Sequence, residues 1–181
     1  MPILHNTIII SENSGEIVHV SGSDVIEQEE VNYNNITIWK KQKGTPHTLT
    51  FKDTSGWIRK IVQGSFDVNE PKIEYRDSYE TIFVKGRGLS GAGGSTFASG
   101  GYYIIVNTMN CPYVDVVPGL WFSDLSTINL GGKCIYELSG NTKNIPIDPN
   151  KSYQELFISL NNGGDTYNEK WVSIKSLYFH N

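Results

Sequence analysis

Hydrophobic and polar residues alternate along much of this chain, in short runs separated by turn-forming residues. Residues 36–39, 48–52 and 57–62 each place every second side chain on the same face, as half-buried β-strands do. Turn residues recur about every eight to twelve positions, which is typical of sandwiches and barrels. The pattern predicts an all-β fold, an antiparallel β-sandwich of the jelly-roll kind with at most one short helix.

The predicted strands cover most of the chain. They are residues 8–10, 16–20, 36–39, 48–52, 57–62, 72–75, 79–85, 102–108, 113–117, 133–138 and 171–179. The strands at 48–52 and 57–62 should form one hairpin, because the Asp-Thr-Ser-Gly segment between them has reverse-turn composition. The last strand should pair near the first, as is common in β-sandwiches.

The segment from residue 148 to residue 160 allows two interpretations. Asp148 followed by Pro149 is typical of a helix start, so a short helix over 148–156 is one option. Leu156, Ile158 and Leu160 recur at every second position, which favours a strand by Leu156.

The segment from Gly86 to Gly101, GRGLSGAGGSTFASGG, contains seven glycines in sixteen residues. Glycine permits positive φ and close backbone approach but weakens regular elements. We predict a long loop between two strands here, and such loops are often contact elements. The residues expected to make contacts, in the loop, just after it and in the last turn, are Arg87, Leu89, Ser90, Phe97, Tyr102, Tyr103 and Tyr167.

Two short motifs in this segment resemble functional sequences without the context that their chemistry needs. Residues 86–91 match GxGxxG, but a dinucleotide site also requires a helix to begin there. Residues 88–92 fall one position short of GxSxG, and only His180 follows as a base. We therefore predict a non-enzymatic protein without a cofactor, and rank an enzyme below two binding functions.

The sequence contains no spacing typical of a metal site. His5, His19, His47 and His180 are isolated from one another, and no HExxH pattern occurs. Residues 27–30 and 67–70 could supply oxygen ligands to Ca²⁺ but lack the graded loop of a calcium site. We predict no metal and leave a structural Ca²⁺ open.

Cys111 and Cys134 lie 23 positions apart, without a CxxC partner or a nearby histidine. Free cysteines are among the most buried residues. We expect two buried free thiols, with a disulfide as the alternative if the chain matures in an oxidising compartment.

Length and charge favour one domain and argue against two classes of partner. At 181 residues, we predict a single domain over residues 1–181, in which residues 1–35 form an acidic N-terminal arm. The net charge of −4 argues against nucleic acid as a partner. No apolar run reaches about 18 residues, and the start MPILHNTIII lacks the features of a secretory signal. We expect no membrane partner.

Charge is unevenly distributed along the chain. Residues 1–39 contain six acidic side chains and no Lys or Arg, whereas residues 40–60 contain six basic side chains and one acidic one. These segments are either two solvated faces or an acidic arm that meets a basic face, in the same chain or in a neighbouring copy. Head-to-tail contacts between copies build rings or arrays.

Two functions fit these observations. The first is a structural or assembly protein of a virus particle, such as a capsid-decoration, head or tail accessory protein of a bacteriophage. It would contact its own copies or other virion proteins, after synthesis in the host cytoplasm. The second is a carbohydrate-binding module or lectin, cytoplasmic or extracellular, whose surface aromatic residues stack on a glycan. The tryptophans, Trp39, Trp57, Trp121 and Trp171, lie in or beside apolar runs, so we expect core or interface positions for them.

Overall fold

The structure of the chain is a computed structural model. It describes residues 7–10, 17–21, 24–27, 30–33, 36–40, 44–76, 79–89, 97–163 and 169–181. The backbone divides into two compact units, Met1–Lys43 and Gly44–Asn181, and we describe each by itself. The prediction of one domain with an acidic arm at residues 1–35 stays a prediction.

The first unit consists of short antiparallel strands. They are β1 (Thr7–Ile10), β2 (Ile17–Ser21), β3 (Asp24–Glu27), β4 (Glu30–Tyr33) and β5 (Ile36–Lys40). The first three form a sheet in the order β1-β2-β3, and β4 pairs with β5. Isoleucine and valine recur in these strands, and β-branched residues suit the pleated backbone.

Twelve strands occur among the described residues of the second unit. They are β6 (His47–Thr50), β7 (Ile58–Gln63), β8 (Phe66–Val68), β9 (Lys72–Arg76), β10 (Tyr79–Gly88), β11 (Ser99–Asn107), β12 (Tyr113–Phe122), β13 (Thr127–Leu130), β14 (Lys133–Glu137), β15 (Ile145–Pro146), β16 (Tyr153–Asn161) and β17 (Lys170–His180). Most predicted strands are confirmed, and those the pattern missed have two to four residues.

These strands form two antiparallel sheets. The first sheet has the order β15-β12-β17-β10-β8, with β6 also paired to β17 and β9 to β10. The second has the order β14-β13-β16-β11-β7. Buried side chains of both sheets form one hydrophobic core, which confirms the all-β prediction and agrees with a β-sandwich. Within the described part of the chain no helix occurs, and so none is long and apolar enough to cross a membrane.

The segment that allowed a helix or a strand is a turn followed by a strand. Asp148 Oδ1 accepts a hydrogen bond from the Asn150 amide at 3.0 Å, so the aspartate stabilises a turn. Strand β16 then begins at Tyr153. Leu156, Ile158 and Leu160 are fully buried, as their alternation predicts.

The predicted hairpin of residues 48–52 and 57–62 is wrong. Strand β6 pairs with β17 in the first sheet, and β7 pairs with β11 in the second. The turn itself forms, since Asp53 Oδ1 accepts the Ser55 amide at 2.9 Å. The chain nevertheless crosses between sheets here, because Phe51 and Trp57 pack into the core with ring centroids 5.8 Å apart.

Strand β17 lies inside the first sheet and changes partner along its length. It pairs with β12 on one side, and on the other with β10 and then with β6. Ser176 pairs with Val117 but Ile174 pairs with Pro118, so Lys175 is inserted as a β-bulge. The bulge shifts the alternation, and as a result side chains on both sides of it reach the core. These are Val172, Ile174, Leu177 and Phe179.

The ends of the glycine-rich segment belong to strands, so the predicted loop over residues 86–101 is too long at both ends. Residues 86–88 belong to β10 and residues 99–101 to β11, while 90–96 lie outside the described residues. Space explains the glycines: a Cβ on Gly101 would overlap the Ile158 carbonyl, and one on Gly86 would lie 2.7 Å from Phe66 Cε1.

Both cysteines are free, but only one of them is buried. Cys111 has no exposed surface, as expected, and burial raises the pKa of its thiol. Cys134 is exposed, contrary to the expectation, because it lies on β14 at the edge of the second sheet.

Asp115 links the C-terminal end of the chain to the segment around Asn144 within the second unit. Its carboxylate accepts hydrogen bonds from the Asn144 amide at 2.8 Å and from Lys143 Nζ at 2.9 Å. His180 Nε2 lies 3.2 Å from the same carboxylate, and the side chain of the terminal Asn181 donates to the Gly44 carbonyl at 3.0 Å. Burial raises the pKa of Asp115. The hydrogen bonds from Asn144, Lys143 and His180 together lower it more, so the pKa lies below the ordinary value of 3.8.

We expect Gly101→Ala to lower the free energy of unfolding by about 1–3 kcal/mol, the usual cost of overpacking. The control is Gly132→Asn, because Gly132 has φ +83° and no atom within 4 Å of its Cβ position, and asparagine tolerates left-handed backbone. Urea unfolding measures both variants. Equal losses would contradict the explanation by close packing.

We expect Asp115→Asn to lower the free energy of unfolding at pH 6 by about 1–3 kcal/mol. Because the pKa of Asp115 is lowered on folding, its stabilising contribution is complete above the unfolded pKa and disappears as pH falls through the folded pKa. The difference from the wild type should therefore shrink below about pH 4. Urea unfolding at both pH values checks this, with the exposed Glu80→Gln as control. A difference that does not vary with pH would contradict the ionic explanation.

Candidate functional site

Both ends of the glycine-rich segment lie at the turn between β7 and β8. The Leu89 amide donates to the Ser65 carbonyl at 2.8 Å. At the other end, the Phe97 carbonyl lies 2.9 Å from where a Cβ of Gly64 would be, and Gly64 has φ +60°. Glycine is therefore required at this turn for both space and conformation.

Asn162 holds the returning end of the loop from beneath. Asn162 is 1% exposed. Its side-chain oxygen accepts a hydrogen bond from the Ala98 backbone amide at 2.9 Å, and its backbone amide donates to the Ala98 carbonyl at 3.1 Å. The side-chain amide of Asn162 occupies the space that a side chain on Gly88 would need. The backbone at the loop ends is thus fixed by buried hydrogen bonds.

Exposed hydrophobic side chains are carried by the segments that meet at this turn. Phe97 is 62% exposed, Val62 57% and Leu89 42%. We call these three residues the loop-base patch. Exposed apolar groups on a rigid backbone are typical of contact surfaces.

The structure separates the residues that the sequence predicted as contacts. Leu89 and Phe97 belong to the loop-base patch, whereas Arg87 lines a groove described below. Ser90 and Tyr167 lie outside the described residues.

The two tyrosines after the loop occupy opposite faces of β11. Tyr102 is 7% exposed and burial raises the pKa of its phenol, so the expectation that it is exposed is wrong. Adjacent side chains of a strand point to opposite faces, so only one of the pair can face outward. Tyr103 does so, half-buried, with Lys60 Nζ 5.4 Å from its ring centroid. Lys60 in turn pairs with Glu155 at 2.6 Å.

An open groove of about 760 Å³ is the second candidate site. It is formed by the ends of β10, β12, β14 and β17 and by the segments that adjoin them. Aromatic, apolar, hydroxyl and charged side chains line it together: Arg87, Phe122, Ser123, Asp124, Leu138, Glu169, Lys170 and Trp171. Sequence reasoning found only Arg87, because the other residues converge from distant segments and carry no shared spacing.

A wide irregularity in β12 shapes this groove. Pro118 pairs with Ile174 and Phe122 with Val172, so β12 has two more residues than β17 over the same length. The Ser173 hydroxyl closes the gap, because it accepts the Trp121 amide at 3.0 Å and donates to the Trp121 carbonyl at 3.1 Å.

Trp171 is held in place by its neighbours. Its amide donates to the Ser123 hydroxyl at 2.8 Å, and its carbonyl accepts the Ser123 amide at 2.8 Å. Its ring meets the edge of Trp121, with centroids 6.1 Å apart and planes at 87°. Trp171 is half-buried and Trp121 is 38% exposed, while Trp57 packs against the core. The side chain of Trp39 lies outside the described residues.

The carboxylates of the groove are neutralised within the protein. Asp124 pairs with Lys170 at 2.6 Å and Glu169 pairs with Lys85 at 2.8 Å. Arg87 is exposed, and the described residues offer its guanidinium neither an ion pair nor a hydrogen bond. Among the charged side chains of the groove, Arg87 is therefore the one that forms no ion pair with a described residue, and Asp67 is its cross-strand neighbour in the β8–β10 ladder.

The acidic clusters and the GxGxxG match noted in the sequence can be compared with the described residues. Among the residues with described side chains, no three or more His, Cys, Asp and Glu come together, and this includes residues 67–70. Gly86 and Gly88 of the GxGxxG match pack against Phe66 and Asn162, so protein atoms fill the space above them that phosphate would need.

Comparison with protein-family models, with curated proteins and with solved structures finds no match for this chain. The candidate sites are therefore interpreted from their own geometry.

Proposed function

We propose that this protein is a non-enzymatic structural or assembly protein of a virus particle, such as a capsid-decoration, head or tail accessory protein of a bacteriophage. It acts through contacts with its own copies or with other virion proteins. The observation that carries the proposal is the loop-base patch, in which Phe97 and Leu89 project from backbone that is fixed at Ser65 and Asn162.

A fixed backbone favours protein contact for a thermodynamic reason. Association loses less conformational entropy when the contacting residues are already ordered. Aromatic side chains such as Phe97 bury a large apolar area with few rotatable bonds.

The placement in a virus particle is supported by features of the whole chain. The described residues form only β-strands, turns and connecting segments, and such scaffolds present contacts on their loops. The acidic side chains of residues 1–39 and the basic ones of residues 40–60 would favour head-to-tail contact between copies, since complementary charges orient the partners.

Phe97→Ser should weaken association with other copies or with purified particles from the same source by at least about tenfold, because an aromatic contact contributes more than 1.4 kcal/mol at the centre of an interface. Native mass spectrometry and co-sedimentation with particles measure this. The control is Ile105→Ser, which removes a side chain that is 57% exposed on another surface. A strict monomer that binds no particle would overturn the proposal.

The groove favours a second candidate, a carbohydrate-binding module or lectin. Its volume of about 760 Å³ falls within the range of small-molecule sites. Trp171 offers an aromatic surface that Trp121 and Ser123 hold still, and the polar side chains around it can form hydrogen bonds with hydroxyl groups. An aromatic platform bordered by polar groups suits a sugar ring, which is apolar on its face and polar at its edge.

A glycan array and calorimetry test this candidate. Saturable binding of a saccharide is expected, with a loss of at least about tenfold in Trp171→Ala, since stacking on an aromatic ring contributes about 1–3 kcal/mol. The control is Tyr153→Ala, because Tyr153 is 67% exposed and does not line the groove. Melting temperatures confirm that both variants fold. Binding unaffected by Trp171→Ala would exclude the groove as the glycan site.

A further inference from the structure

We infer that the groove selects an acidic sugar, a saccharide that carries a carboxylate such as a uronic acid, through the guanidinium of Arg87. This inference rests on the second candidate function and specifies its ligand. It depends on the juxtaposition, in a single groove, of the aromatic ring of Trp171 with one cation that forms no ion pair with a described residue.

The charges of the groove are arranged to accept an anion. Two carboxylates line it, Asp124 and Glu169, and either would repel a negative ligand if it were unpaired. Each is instead within 2.8 Å of a lysine ammonium, Lys170 for Asp124 and Lys85 for Glu169. The remaining charged side chain is Arg87, whose cross-strand neighbour Asp67 forms no ion pair with it and does not line the groove.

The chemistry of arginine indicates which anion fits. Its planar guanidinium presents parallel N–H groups that match a carboxylate in a bidentate pair. The Arg87 side chain is exposed, so it can move to meet a ligand without first breaking a bond to a described residue.

The aromatic and apolar side chains indicate that the anion belongs to a larger molecule. Trp171, Phe122 and Leu138 line the same groove as Arg87. An inorganic anion would leave these groups in water, whereas a sugar ring bearing a carboxylate would use both halves of the site. The groove volume of about 760 Å³ accommodates more than one ring.

Strand pairing places Arg87 and Trp171 in the same groove, because both residues lie on strands that are paired to each other. Arg87 pairs with Asp67 in the β8–β10 ladder, and Lys85 of β10 pairs directly with Trp171 of β17. Arg87 is two residues beyond Lys85 on the same face of β10. The cation and the aromatic ring are therefore placed near each other by strand register.

Calorimetry with an oligogalacturonate, with its methyl ester and with inorganic phosphate tests the inference on the full chain. The wild type should bind the acid at least about tenfold more tightly than the ester. Arg87→Gln should remove that preference while retaining the binding of the ester. The control Lys72→Gln removes an exposed cation of β9 outside the groove and should keep the preference.

The other outcomes separate this inference from the function on which it rests. Equal binding of acid and ester, or a preference that survives Arg87→Gln, would overturn the acidic-sugar inference and leave a carbohydrate-binding groove. Phosphate that displaces the acid at equal concentration would show a general anion site, and would also overturn it. Binding of no saccharide at all would overturn both the inference and the carbohydrate-binding candidate.

Discussion

The inserted residue in strand β17 is the constraint on which the first sheet of the Gly44–Asn181 unit depends. Without it, a strand of eleven residues would place Val172 and Ile174 on one face and Leu177 and Phe179 on the other. The bulge at Lys175 turns all four into the core, where none has exposed surface. It lies where β17 exchanges one neighbour, β10, for another, β6.

The groove follows from the same strand. Because β12 has extra residues opposite β17, its backbone leaves the ladder and must find other partners for its polar groups. The hydroxyl of Ser173 supplies them for Trp121. The Ser123 hydroxyl, just after β12, accepts the Trp171 amide of β17 and so fixes the backbone of an aromatic residue of the groove.

The two candidate surfaces suit different kinds of ligand. The loop-base patch is apolar and built on Phe97 and its neighbours, and is suited to another protein surface. The groove combines Trp171 with the cation of Arg87 and two carboxylates that lysines already neutralise, and is suited to a polar molecule with an apolar face. Arg87 and Leu89 are only two residues apart in β10 and the loop that follows it, so one short segment contributes to both surfaces.

Period-two alternation by itself determined the all-β class and most of the strands, because burial of one face of a sheet imposes that period whatever the partners are. It also located Leu156, Ile158 and Leu160 in the core. Only the tertiary structure decided which strands pair: β6 and β7 belong to different sheets despite the turn between them, and Phe51 and Trp57 on either side of that turn pack in the shared core. The groove was likewise beyond the sequence, because Arg87, Phe122, Leu138 and Trp171 are far apart in the chain and meet only through strand order. Local patterns report which face of a strand is buried, and they carry no information about the distant residues that cover it.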